Sequence, residues 1–353
     1  MNHLTVLRVL CVVCIGFESR AADFTNRAKE YMDSVTKTQN FSGAVLVAHQ
    51  GRVLFKRASG FANVEWSVAN TTETKFEIGS LTKQFTATAI LHLVELEKLR
   101  LDAPISNYIP DLPQTWFHIR IHQLLTHTSG IPNTAKLSDY SQGLHHAYTP
   151  EELIALVRNR PLEYQPGTKW KYSNTDYYLL GYLIERISGE SYASYLQHQL
   201  FGPLSMTDTS YNSYTAVVAR RATGYAREDG QLQNADRPDP SIPYSAGAVL
   251  STVEDLFKWD EALYAERIIK RATQDKMFTS YKEDGEGYGY GWFMTSKEGR
   301  RKQYHEGSTF GFSSFIARYP DDHVLVVVLS NWEATDTKTI ADTLARLAFE
   351  SLQ

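Results

Sequence analysis

The sequence predicts an α+β fold in which one antiparallel sheet is assembled from both ends of the chain, flanked by terminal helices, with a mostly helical domain inserted between its halves. Two observations predict it. Apolar, β-branched runs of strand length occur near the start of the chain and return after Gly285. Between them, from about residue 80 to 284, apolar residues recur at helical spacing. The α/β part therefore covers about 22–79 and 285–353, and the helical part about 80–284. With 353 residues, 42% of them hydrophobic, the chain can bury a sizeable core without staples.

Residues 1–21 read as an export signal. Arg8 precedes an apolar run over 9–17, and Ser19 and Ala21 supply the small residues for cleavage after Ala21. A buried N-terminal strand or helix, or an uncleaved anchor, fits the same residues. Both cysteines, Cys11 and Cys14, lie inside this run. Cleavage leaves a mature chain without disulfides, a thiol nucleophile or thiolate metal ligands. Lipid attachment at Cys14 is disfavoured, because Val13 is bulkier than such processing prefers. The expected location is periplasmic or secreted, without stable membrane insertion once the signal is removed.

Residues 23–37 form an amphipathic helix, with Phe24, Ala28, Tyr31 and Val35 at helical spacing. Runs 42–49 and 52–56 flank Gln50-Gly51, a hairpin signal. A long apolar helix is expected over 80–99. Thr149 caps a helix opened by Pro150, Glu151 and Glu152 and running to 158. Helices follow at 177–187, 192–200 and 253–264. Strands are expected at 288–294, 303–306, 312–318 and 323–329, and a helix over 334–352 closes the chain. The clearest loops are 133–142 and 228–244. There is no internal repeat and no low-complexity tract.

Charge narrows the function classes. Thirty-six basic residues against 40 acidic ones give a net charge of −4. No basic stripe stands out, which argues against nucleic-acid binding. No interior run reaches the roughly 18 apolar residues needed to cross a bilayer.

Three short segments carry chemistry. Ser80-Leu81-Thr82-Lys83 opens the long apolar helix, so a hydroxyl and an amine three residues apart share one face. The positive end of the helix and burial both lower a lysine pKa, and a neutral lysine accepts a serine proton. The pattern alone is weak: Ser34-Val35-Thr36-Lys37 matches it too, at the polar end of the first helix, where a solvated lysine is the natural reading. Tyr172-Ser173-Asn174 offers a phenol that can relay a proton if Lys83 stabilises its phenolate, and an amide able to hold Lys83 and substrate. A turn and helix cap accounts for the same residues. His305-Glu306-Gly307-Ser308 lies on a late strand. There His305 offers a donor or a positive charge, Gly307 lets substrate backbone approach, and the Ser308 amide can face an oxyanion. A polar edge strand ending in a glycine turn reads equally well from these residues alone.

In the order Ser-x-x-Lys, Tyr-x-Asn, His-x-Gly, the set resembles the serine β-lactamase and penicillin-binding-protein superfamily, in particular its class C-like branch of D-Ala-D-Ala carboxypeptidases, D-amino-acid peptidases and esterases. Further matching pieces are Phe76-Glu77-Ile78-Gly79-Ser80, the run from Leu124 through Thr126-His127-Thr128-Ser129-Gly130 to Pro132, Ser245-Ala246-Gly247 and Tyr288-Gly289-Tyr290-Gly291-Trp292. The resemblance spans about residues 41–329 and implies a β-lactamase/transpeptidase-like fold.

It also implies acyl transfer, with Ser80 as nucleophile, Lys83 and Tyr172 moving its proton, and Asn174, His305, Gly307 and Ser308 binding substrate. No cofactor and no metal are implied, and His127 and the His145-His146 pair read as structural or solvated. Expected substrates are small molecules or peptides: a peptidoglycan-like peptide, an ester or a β-lactam. Glu306 departs from the hydroxyl residue often found there, and a carboxylate pointing into the site would repel an anionic substrate. A peptidase or esterase is therefore favoured. The alternatives are a β-lactamase and a penicillin-binding sensor that acylates without turnover.

Overall fold

Gln50 and Gly51 both adopt left-handed backbone (φ 50° and 72°), the two-residue turn whose twist suits a hairpin. They join β1 (Gly43–His49) to β2 (Arg52–Ser59). The computed structural model describes residues 3–136, 144–282, 284–297 and 299–352. From the C-terminal part come β3 (Gly287–Tyr288), β4 (Phe293–Lys297), β5 (Arg300–Thr309), β6 (Phe312–Tyr319) and β7 (Val324–Ser330). They complete one antiparallel sheet of order β3-β4-β5-β6-β7-β1-β2. β1 pairs with β7 from Gly43↔Ser330 to His49↔Val324, so strands from the two ends of the chain lie side by side within the sheet.

Period-two alternation sends side chains to two cores. Val45, Val47, Val326 and Val328 face one, shared with Phe24, Ala28, Met32 and Val35 of α1 (His3–Gln39) and with Leu344 of α6 (Thr337–Leu352). Leu46, Leu325, Val327 and Leu329 face the other, shared with the inserted helical part. That part contains α2 (Thr82–Glu95), α3 (Pro150–Arg158), α4 (Asn174–Ser188) and α5 (Val253–Tyr264), with short helices at Ile121–Leu125, Tyr192–Leu196, Tyr244–Gly247 and Arg271–Met277. Thr149 caps α3 by accepting from the Glu152 amide at 3.2 Å.

Several boundaries differ from the sequence reading. α1 extends N-terminally through the segment read as a signal. Among the described residues, no helix is long and apolar enough to cross a membrane. The helix expected over 80–99 begins at Thr82, after a tight turn at Gly79–Leu81, and ends near Glu95, where Glu97 turns left-handed. The expected strand 288–294 is two strands. Gly291 has φ 77°, and a side chain there would come within 2.7 Å of the Lys83 carbonyl oxygen. Gly291 lets this turn press against α2. The 228–244 stretch is not all loop, because Gln231–Asn234 pairs with Tyr225–Glu228 across a left-handed Asp229-Gly230 turn. A small second sheet joins Phe76–Glu77 to Val249–Ser251 and Ser210–Tyr211 of the helical part. Residues 137–142 of the predicted 133–142 loop lie outside the described ones.

Candidate active site

Gly79 delivers the serine to the sheet. Its φ is 51°, and a Cβ on it would sit 2.9 Å from both the amide nitrogen and the carbonyl oxygen of Ser308. Only glycine lets the turn lie this close to β5. Ser80 thus stands on a tight turn just before α2 rather than on the helix, with the β5 backbone alongside.

Lys83, in the first turn of α2, is 0% exposed. Its Nζ donates to Asn174 Oδ1 and the Ala246 carbonyl, each at 2.9 Å, and lies 3.1 Å from Ser80 Oγ. It also sits over the Tyr172 and Tyr177 rings, 4.8 and 5.5 Å from their centroids. Burial holds the amine well below the ordinary lysine range. Desolvation is the cause of the depression. An amine that gives up its proton so readily can serve as a base toward Ser80.

Ser173 stands at the N-cap of α4 in extended backbone and makes no side-chain cap bond. Asn174, the first helical residue, directs its side chain to Lys83 instead of capping. The helix-cap reading of this tripeptide therefore fails for both polar side chains. Tyr172 is wedged between Phe293 (stacked, 6.4 Å) and His127 (4.5 Å). Burial raises its phenol above the ordinary range, and the Ser80 hydroxyl beside it offsets this only in part. No hydrogen bond of full geometry closes on the phenol oxygen. Tyr172 is thus a neutral phenol in the free protein, not the phenolate considered from the sequence.

β5 contributes the third segment. His305 is buried, and its Nδ1 lies 2.6 Å from the Glu306 carbonyl oxygen, which makes Nδ1 the protonated nitrogen and leaves Nε2 as an acceptor. Burial, followed by the nearby Lys83, lowers its pKa to about 3. His305 is accordingly neutral, so of the two roles read from the sequence, a donor or a positive charge, the charge is not available at neutral pH. A Cβ on Gly307 would lie 2.1 Å from the Ile78 carbonyl oxygen, so glycine there lets the protein's own 78–81 turn lie against β5. Glu306 alternates to the opposite face, where its half-exposed carboxylate pairs with Lys338 of α6 at 3.2 Å. It points away from the serine.

A buried polar chain missing from the sequence reading continues behind His305. Tyr288 Oη stands 3.5 Å from His305 Nε2 and 3.1 Å from His127 Nε2. The Ser173 amide donates to His127 Nδ1 at 3.2 Å, so His127 carries its proton on Nε2. Burial lowers the His127 pKa well below the usual range, with smaller contributions from Lys83 and His305. Asp176 accepts from Ser129 Oγ at 2.5 Å, and burial raises its carboxyl well above the usual range. His127 is fully buried within this chain of contacts. Tyr288 and Asp176 lay within or beside quoted motifs but carried no spacing signal of their own.

Ser80, Asn174 and Ser308 line a cleft of about 190 Å³ with Ala246, Ile242 and Phe310. A larger depression of about 580 Å³ around Phe278 and Arg318 contains none of these residues. Ser34 and Lys37 are exposed on α1. His145 is exposed and lies 3.3 Å from Asp236. Among the described residues, one group has ligand atoms close enough to surround a metal ion: Asp260, Glu261 and His323, within 4.8 Å of one another. None of these lines the cleft, and Asp260 already accepts from Arg318 at 2.6 Å.

Comparison with known proteins shows the family and the fold. The Beta-lactamase family model matches residues 24–350. Penicillin-binding protein 4* of Bacillus subtilis (strain 168) is 30% identical over 320 residues, covering 85% of this chain and 70% of that protein. The crystal structure of a penicillin binding protein from Bacillus halodurans superposes with a TM-score of 0.82 at 28% identity, over 89% of this chain and 99% of that one. D-amino acid amidase from Ochrobactrum anthropi SV3 shares the fold, with a TM-score of 0.80 at 24% identity over 94% of this chain and 99% of that one. The chain belongs to the Beta-lactamase family and has the β-lactamase/transpeptidase fold.

Proposed function

We propose that this member of the Beta-lactamase family is an exported serine hydrolase that cleaves amide or ester bonds of the D-alanyl-peptide or simple-ester type through an acyl-enzyme. One observation carries the reading: a desolvated Lys83 amine 3.1 Å from the Ser80 hydroxyl at the edge of a cleft. In the acylation step Ser80 Oγ bonds to the substrate carbonyl carbon while its proton passes to Lys83 Nζ. The amides of Ser80 and Ser308 face the developing oxyanion. Collapse of the adduct breaks the scissile bond, and the leaving group takes the proton back through Lys83 or the neutral Tyr172 hydroxyl. Water then attacks the acyl group by the same route and frees Ser80. Asn174 holds Lys83 in place, and neutral His305 presents a polar edge without charge.

The outward direction of Glu306 favours a second reading as well, because it removes the charge objection to β-lactams, which carry a carboxylate. The test is intact mass spectrometry of protein exposed to short-chain esters, D-alanyl peptides and penicillins. A transient acyl adduct on the native chain and none on Ser80→Ala supports a hydrolase. A penicillin adduct that persists identifies a sensor, and no adduct from any class sinks both readings. Export is tested separately, by N-terminal sequencing of protein recovered outside the cytoplasm, where a start at Ala22 is expected.

A further inference from the structure

A second depression adjoins the cleft. It has a volume of about 180 Å³ and is lined by Glu77, Tyr214, Arg221, Asp236, Arg237 and Phe310, among others. Phe310 also lines the Ser80 cleft, and Pro238 of that cleft follows Arg237 directly in the chain. The two spaces therefore share one aromatic wall and one strip of backbone. Glu77 itself lies three residues before Ser80.

The charges of this second space are unevenly satisfied. Glu77 accepts from the Tyr214 hydroxyl at 3.3 Å and is engaged by Asn212. Asp236 accepts from the Arg237 backbone amide at 2.8 Å and pairs with His145. The guanidiniums differ. Arg221 donates to the Ser213 carbonyl at 2.7 Å and to Asn212 Oδ1 at 3.3 Å, both neutral acceptors. Arg237 stacks on the Tyr214 ring at 4.4 Å. Glu77 attracts both from a distance, yet neither forms a direct ion pair with a carboxylate among the described residues. Two arginine forks held in place by neutral groups and an aromatic face suit a carboxylate supplied from outside.

We infer that Arg237 and Arg221 form a carboxylate subsite, which receives the non-reacting arm of a substrate whose scissile carbonyl lies at Ser80. This rests on the hydrolase reading and narrows it to substrates with an anionic arm long enough to pass Phe310. Neither arginine touches the reacting atoms.

The test compares the p-nitrophenyl monoester of glutaric acid with its neutral isostere, the 4-carbamoylbutyrate ester. Wild-type kcat/KM is expected to favour the charged ester by roughly tenfold to a hundredfold, mainly through KM. Arg237→Gln levels the pair while hydrolysis of the neutral ester is unchanged, and Arg237→Lys retains part of the preference. Arg221→Gln acts in the same direction, with circular dichroism checking its fold. Calorimetric binding of both esters to Ser80→Ala separates the two claims. Discrimination there, lost in the Ser80→Ala/Arg237→Gln double variant but without turnover in the wild type, upholds the subsite and overturns the hydrolase. Equal cleavage of both esters, or a preference that survives both glutamine variants, overturns the subsite and leaves the hydrolase standing.

Discussion

Ser34–Lys37 and Ser80–Lys83 have the same spacing in the same chain, and the structure gives them opposite surroundings. The first pair lies on the exposed side of α1, in water. The second lies beneath Tyr172, Asn174 and the Ala246 carbonyl, where burial weakens the hold of the amine on its proton. Spacing brings a hydroxyl and an amine within reach; desolvation turns the amine into a base.

Breaking the buried pair has the largest expected effect. Lys83→Ala and Ser80→Ala should each lower kcat/KM by about a thousandfold or more, since the two act as one unit. Ser34→Ala and Lys37→Ala should change nothing. Full activity in Lys83→Ala would remove it from the proton path.

The pH dependence sharpens the contrast. A lysine whose folded pKa lies below its unfolded value must shed a proton on folding. Its contribution to stability therefore rises with pH between the two values, and the acidic limb of kcat/KM should fall far below pH 10. A limb near 10 would show that Lys83 is solvated. His305 obeys the same sign. Its folded pKa of about 3 against an ordinary 6.5 means that stability is present at neutral pH and drains away as pH falls from 6.5 toward 3. Urea unfolding of His305→Asn across that window should give a shallower slope than the native chain, with His127 still contributing.

Gly307→Ala comes next. The new methyl would meet the Ile78 carbonyl, so a loss of about 1–3 kcal/mol is expected with reduced turnover, as the Ser80 turn is pushed off β5. Thermal unfolding at unchanged midpoint would contradict the contact. The smallest effect belongs to Glu306→Gln. Its pair with Lys338 is solvent-exposed, so stability should change by under about 1 kcal/mol and turnover hardly at all.

Much of the frame was legible because the residues leave little choice. Val324–Ser330 reads Val-Leu-Val-Val-Val-Leu-Ser and is buried on both faces, as a central strand between two layers requires. The three candidate segments could be found because each brings reactive groups at fixed spacing. Glu306 was readable in principle: if His305 faces inward, strand alternation sends its neighbour outward. The role of Gly307 was not, since the surface it meets comes from residues 78–81. Tyr288 and Asp176 stayed hidden for a related reason. Their partners, His127, His305 and Ser129, lie far off in sequence or in another element, and nothing local marks an aromatic hydroxyl or a helix carboxyl as part of a buried chain.

The contact of Gly79 with Ser308 joins residues more than 200 positions apart. During synthesis, the serine and its lysine emerge long before the strand that supplies the second amide. A chain halted short of β5 holds a hydroxyl with nowhere to place the charge its attack would create. On the proposed mechanism, catalytic competence is therefore a late event in assembly, reached when the C-terminal strands close the sheet, and acyl loading of Ser80 would report, molecule by molecule, that folding has finished.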